Sequence, residues 1–124
     1  MNSKVTACVV IAVAAFAGFR YLFDIPTMNP KKAFVLLVAL TFKTAEDKQT
    51  FSQMFAKLAI YVANKEPATL SYELADSDKD PLRVVIIERY VNKDAYLTIH
   101  KGSEQFIEFR KQMSKIDITI DGHR

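Results

Sequence analysis

The chain has one cysteine, two histidines, three glycines and no tryptophan. Cys8 lies in an apolar N-terminal run, so the folded domain has neither a disulfide nor a thiolate for catalysis or metal binding. Two histidines, His100 and the next-to-last residue His123, are too few for a histidine-rich metal site. The glycines form no phosphate-binding loop, and there is no internal repeat or low-complexity tract. Charge of one sign is also scarce. The net +3 comes from 17 basic and 14 acidic side chains interspersed along the sequence, which gives a nucleic-acid surface little support.

What is present is apolar. Half of the 124 residues are hydrophobic and nine are Phe, enough for one core but not for two independent domains. Stability must come from that core or from oligomerisation.

Val5 to Phe19 is broken only by Thr6, and Arg20 and Tyr21-Leu22-Phe23 follow. Its 15 residues would rise about 22 Å as a helix against a hydrocarbon layer of about 30 Å. Extension to Phe23 with Arg20 snorkelling nearly closes the gap, which makes a signal anchor feasible. The same residues also read as a cleaved signal peptide: Lys4, an apolar stretch over Val5 to Ala14, then Ala15-Phe16-Ala17 before Gly18. Cleavage there would remove Lys4 and leave 16 basic against 14 acidic groups, a charge of +2. Either route predicts a domain outside the cytosol, membrane-anchored through residues 5–23 or secreted or periplasmic. A soluble core helix fits poorly, because the run has no polar face. The predicted organisation is an anchor or signal peptide over 1–23, a tether over 24–32 containing Pro26 and Pro30, and one domain over 33–121.

Within the domain, Ala33 to Phe42 is rich in Val, Leu and Phe and predicts a central strand. Thr44 with Asp47 resembles a capping pair, and Phe51, Met54, Phe55, Leu58 and Val62 share one helical face, so a helix is predicted over about Glu46 to Asn64. Pro67 stops it. Leu70, Tyr72 and Leu74 then alternate with Ser71 and Glu73, and the Asp76 to Pro81 turn leads into a second hairpin strand over Leu82 to Tyr90. Asn92 can cap a short helix ending near His100, Gly102 and Ser103 break it, and Phe106, Phe109 and Met113 have helical spacing. Ile116, Ile118 and Ile120 alternate with Asp117, Thr119 and Asp121 as a last strand with one wet face.

The resulting order β-α-β-β-α-β is the ferredoxin-like plan of the α+β class, with helices on one face of a four-stranded antiparallel sheet. The Val and Ile of these strands would leave the other face apolar, and sheet-to-sheet pairing into a homodimer is the expected remedy.

From about Phe34 to Ile120 the sequence resembles the antibiotic biosynthesis monooxygenase family of dimeric α/β-barrel proteins, which includes quinol monooxygenases. The resemblance is carried by the opening strand, Glu66-Pro67-Ala68-Thr69-Leu70-Ser71-Tyr72-Glu73, the Asp80-Pro81 turn, Val85-Ile-Ile-Glu-Arg-Tyr90, and the stretch from His100 to Phe106. It implies cofactor-independent oxygenation of a small quinol or phenolic substrate by O2, with neither metal nor flavin, the substrate supplying the electrons. Alternatives within the same resemblance are a non-enzymatic dimer that holds a small hydrophobic ligand and a haem-binding or haem-degrading relative.

His100 matches the helix histidine common in that family and is the expected base, since imidazoles titrate near neutral pH. The competing reading is a hydrogen-bonded histidine at a helix end. Glu88 shares strand parity with Val84, Ile86 and Tyr90, so its carboxylate lies on an apolar face and needs a partner. It is expected to orient His100, and Glu73 on the neighbouring strand to pair with it or to contact substrate. A structural hydrogen bond or ion pair serves either carboxylate equally well. Arg83 and Arg89 fall on the opposite face from Glu88. Tyr72 and Tyr90 can each offer a hydroxyl and a ring to substrate, or simply pack. The family often has tryptophan where Tyr90 stands. Gln105 occupies a place where some quinol monooxygenases carry a second histidine, which weighs against a two-histidine mechanism. Phe51, Phe55, Phe106 and Phe109 are read as core.

Overall fold

A computed structural model describes residues 32–123. The predicted anchor or signal peptide at 1–23 and nearly all of the tether lie outside the described residues, as does the side chain of His123. Among the described residues no helix is long and apolar enough to cross a membrane.

Strand β1 (Phe34–Phe42), helix α1 (Ala45–Lys65), β2 (Thr69–Asp76), β3 (Arg83–Tyr90), a π-helical turn (Ala95–His100), α2 (Glu104–Met113) and β4 (Ile118–His123) follow one another in the ferredoxin-like order. The strands form one antiparallel sheet in the order β2-β3-β1-β4. Helix α1 starts where the sequence says it should: Thr44 Oγ1 accepts the Asp47 amide at 3.0 Å, a cap that contributes about 1 kcal/mol. Its apolar stripe of Phe51, Phe55, Leu58 and Val62 is buried against Leu40, Phe42, Val84 and Ile86 of the sheet, and α2 adds Phe109 and Met113. Phe51 is the hub, with ring centroids 5.2 Å from Phe42 and 5.6 Å from Phe109. Burying each such ring contributes about 1.5–3 kcal/mol.

The last strand begins two residues later than its alternating pattern. The chain leaving α2 makes a turn in which the Ile116 amide bonds the Met113 carbonyl at 3.1 Å, and this turn occupies the first isoleucine of the series.

Two local irregularities shape the end of the sheet nearest His100. In β2 the register slips between Thr69 and Ser71: Thr69 pairs with Tyr90 while Ser71 pairs with Arg89. This bulge turns Thr69 to the same face as Tyr72 and sends Leu70 outward, half exposed, against the simple alternation that would have kept Leu70 beside Tyr72. After β3, Asn92 Oδ1 accepts the Ala95 amide at 2.8 Å as a cap, but the turn that follows is π-helical, with the Lys101 amide reaching the Tyr96 carbonyl five residues back at 3.0 Å. Gly102 then passes so close to the Thr98 carbonyl that a β-carbon would collide with it. Ser103 caps α2 by accepting the Phe106 amide at 3.2 Å.

Among the described residues no helix covers the other face of the sheet. Val35 and Leu37 stand there about half exposed, beside the partly exposed Val85 and Ile87.

Candidate functional site

Helix-facing residues of β3 run Val84, Ile86, Glu88, Tyr90, and all four are buried. The first two meet hydrocarbon. Glu88 and Tyr90 instead enter a polar cluster at the other end of the sheet, where the phenol of Tyr90 donates to Glu88 Oε2 at 2.7 Å. Burial pushes the Glu88 carboxyl up from the carboxylate range, opposed by the Tyr90 hydroxyl and by His100. Tyr72 lies directly across from Glu88. Both tyrosines are held far above the ordinary phenol range, first by burial and then by the charge of Glu88, so they act as hydrogen-bond donors and not as bases.

His100 ends the π-helical turn and is completely buried. Four aromatic rings surround its imidazole, with centroids at 4.6 Å (Phe106), 5.0 Å (Tyr72), 5.5 Å (Tyr90) and 6.5 Å (Tyr96). Nδ1 lies 2.8 Å from Glu66 Oε2, which also accepts the Thr69 hydroxyl at 3.0 Å. A carboxylate can only accept, so this contact puts a proton on Nδ1. Two atoms of the pair, His100 Nε2 and Glu66 Oε1, are buried with no hydrogen-bond partner among the described residues. A buried unpaired polar atom costs about 1–3 kcal/mol, which in a native fold calls for an explanation in function or in a ligand.

Glu66 is the residue that sequence reasoning passed over. It is buried at the C-terminal end of α1, just before Pro67. An acidic group there opposes the helix dipole, and that mismatch was the available signal that it had a particular partner. The expected orienter, Glu88, is engaged with Tyr90, and no hydrogen bond joins it to His100 among the described residues. The pairing of Glu73 with Glu88 does not form. The register sets Tyr72 opposite Glu88 and turns Glu73 to the uncovered face, where it accepts the Ser71 hydroxyl at 2.6 Å. Glu73 therefore cannot contact anything bound beside His100 within one subunit. Phe51, Phe55 and Phe109 are core, whereas Phe106 is shared between core and site. Gln105 is exposed.

Phe106 and Tyr96 have a second role. Both line a cavity of about 440 Å³ together with Phe34, Leu36, Leu97, Lys93, Lys101 and Arg110. The rings that touch the imidazole are thus walls of a ligand-sized space. A second hollow of about 390 Å³ lies between the helices, bordered by Met54, Lys57, Glu104 and Glu108, and none of the four rings around His100 lines it. Among the described residues no group of three or more His, Cys, Asp or Glu could hold a metal ion.

A β-α-β-β-α-β arrangement around one antiparallel sheet, with a buried histidine near an aromatic cavity, defines a ferredoxin-like domain. The sequence profile of the antibiotic biosynthesis monooxygenase family matches residues 34–112, well over half of the chain, and the protein belongs to that family. Solved structures agree on the fold. A Caulobacter crescentus CB15 protein that provisionally carries the same family name is 22% identical, with 86% of this chain and 95% of that chain covered and a TM-score of 0.62. A conserved Methanosarcina mazei Go1 protein is 22% identical over 76% and 93%, with a TM-score of 0.61. A Bacteroides thetaiotaomicron protein of unknown function, provisionally described as an oxidoreductase, is 14% identical over 75% and 97%, with a TM-score of 0.63. No protein of curated function matches the chain in sequence.

Proposed function

We propose that the protein is a cofactor-independent monooxygenase acting with O2 on a small quinol or phenol held in the cavity beside His100. The observation that carries this reading is the oriented imidazole: Nδ1 is tied to Glu66 while Nε2 is buried without a partner. A bare Nε2 is a base waiting for a proton, and the Glu66 carboxylate stabilises the imidazolium that forms. Phe106 and Tyr96 neighbour the imidazole and also line the cavity, so in this reading a rotamer change of one of them brings a bound substrate to Nε2.

Loss of the phenolic proton to Nε2 leaves an electron-rich anion in a largely aromatic site. That anion gives its electrons to O2, a carbon–oxygen bond forms, and the imidazolium returns its proton to the resulting peroxide. The hydroperoxide then loses water, so one oxygen atom ends as a quinone carbonyl and the other in the water. Tyr72, protonated throughout, can donate a hydrogen bond to the developing oxyanion, whereas the single phenolic hydrogen of Tyr90 is already given to Glu88. Glu88 keeps Tyr90 in place.

A second reading, a protein that holds an apolar ligand without transforming it, is favoured by the complete burial of His100. The haem alternative needs an open imidazole, and the buried His100 offers none in this conformation. We further infer a homodimer through the uncovered sheet face, which would hide Val35 and Leu37. An N-terminal anchor or signal peptide would put this domain outside the cytosol.

Oxygen uptake by the full-length protein, assayed against quinols and anthrone-type phenols, tests the oxygenase. Turnover that survives a chelator and is lost in His100→Ala supports it. Binding of the same compounds with no uptake selects the ligand-holding protein.

A further inference from the structure

Two hollows of similar size flank α2, and their charges are opposite. Among the described residues, the hollow between the helices is bordered by Glu104 and Glu108 with Lys57 as its single cation. The cavity beside His100 is bordered by Lys93, Lys101 and Arg110, and no carboxylate of the described residues lines it. None of those three cations is ion-paired in the salt bridges formed among the described residues. The Lys101 ammonium lies 5.7 Å from the centroid of Tyr96, the ring that also stacks beside the imidazole. The cavity therefore has an aromatic floor toward His100 and a cationic border. Low-dielectric walls focus the field of such a border into the space between them.

We propose that the ligand of this cavity is an anionic aromatic compound, its ring held by Phe34, Tyr96 and Phe106 and its carboxylate or other acidic group held by Lys93, Lys101 and Arg110. The proposal rests on the oxygenase reading for the phenolic end of the ligand and on the three cations alone for the acidic end. Arg110 supplies a fork that can grip a carboxylate through two donors, and the two lysines supply mobile point charges. A neutral quinol would leave all three facing an apolar surface and would forgo that attraction.

Two probes, used without oxygen so that neither is consumed, separate the ends: 2-naphthol, and 6-hydroxy-2-naphthoate, whose hydroxyl and carboxylate lie at opposite ends of the ring system. Equilibrium binding to the full-length protein is measured at low and high salt, with oxygen uptake measured separately on quinols with and without a carboxylate. The expected result is at least about tenfold tighter binding of the naphthoate at low salt, a preference that shrinks with added salt and disappears in the triple variant K93A/K101A/R110A. Lys57→Ala, in the other hollow, leaves the preference intact. Equal affinity for the two probes, a preference untouched by the triple variant, or binding of neither probe would overturn the proposal. Oxygen uptake with equal KM for neutral and acidic quinols would overturn it while leaving the oxygenase standing. Selective binding of the naphthoate without uptake of any quinol would do the reverse.

Discussion

Strand β3 crosses two interiors. Its first half, Val84 and Ile86, packs into a nest of phenylalanines in which no charge is buried, while its second half, Glu88 and Tyr90, enters a cluster holding two carboxylates, an imidazole and three phenols. The apolar half gains stability from every atom it removes from water. The polar half carries desolvated acids and two unpartnered atoms. Such a region costs a domain this small stability, and a cavity of ligand size adjoins it.

The contrast can be broken from either side. Phe51→Ala removes the hub of the apolar half and should cost about 3–5 kcal/mol in a denaturant titration, with ligand binding by the remaining folded protein unchanged. Glu66→Gln keeps an acceptor for Nδ1 but removes the charge that stabilises the imidazolium. Stability should change by about 1–3 kcal/mol, while kcat should fall roughly 10–100-fold with KM near the parent value. A purely structural role for Glu66 would lower the melting temperature and leave kcat alone.

Tyr90→Phe should cost about 1–3 kcal/mol through the loss of the bond to Glu88. It also bears on pH. Because the folded state holds the Tyr90 proton above the ordinary value of 10.0, stability is complete below that pH and declines as the unfolded phenol ionises above it, so the variant should lose part of the alkaline slope. For Glu88 the folded carboxyl is raised. Its contribution is full below the ordinary value of 4.5 and is lost as pH climbs through the folded value, so Glu88→Gln should gain on the parent protein between mildly acidic and neutral pH. Thr44→Ala, far from the polar half, should cost only about 1 kcal/mol and leave activity untouched.

The apolar half was legible in the sequence because it is written in periodicity. The face shared by Phe51, Phe55, Leu58 and Val62, the Thr44 cap and the parity that buries Glu88 with Tyr90 all follow from spacing alone. The polar half was legible only as a set of candidates. Which carboxylate meets His100 depends on where α1 ends and on cross-strand register, and neither is carried by a local pattern. Glu66 lay at an element boundary, where sequence reasoning sees a stop signal in Pro67 before it sees a ligand. Glu73 failed because register, and not proximity of strands, decides which face a side chain shares. The bulge that aims Thr69 at Glu66 likewise leaves no mark in an alternating run of Leu70, Tyr72 and Leu74.

The proposed chemistry requires that His100 carry its proton on Nδ1, against Glu66, and keep Nε2 bare as the base. Nitrogen NMR of the protein with ¹⁵N-labelled histidine reads this directly. The expected spectrum shows a proton on Nδ1 and none on Nε2, with the Nε2 resonance moving when 6-hydroxy-2-naphthoate is added and the Nδ1 signature disturbed in Glu66→Gln. An imidazole protonated on Nε2, or one whose nitrogens ignore the bound phenol, would contradict it.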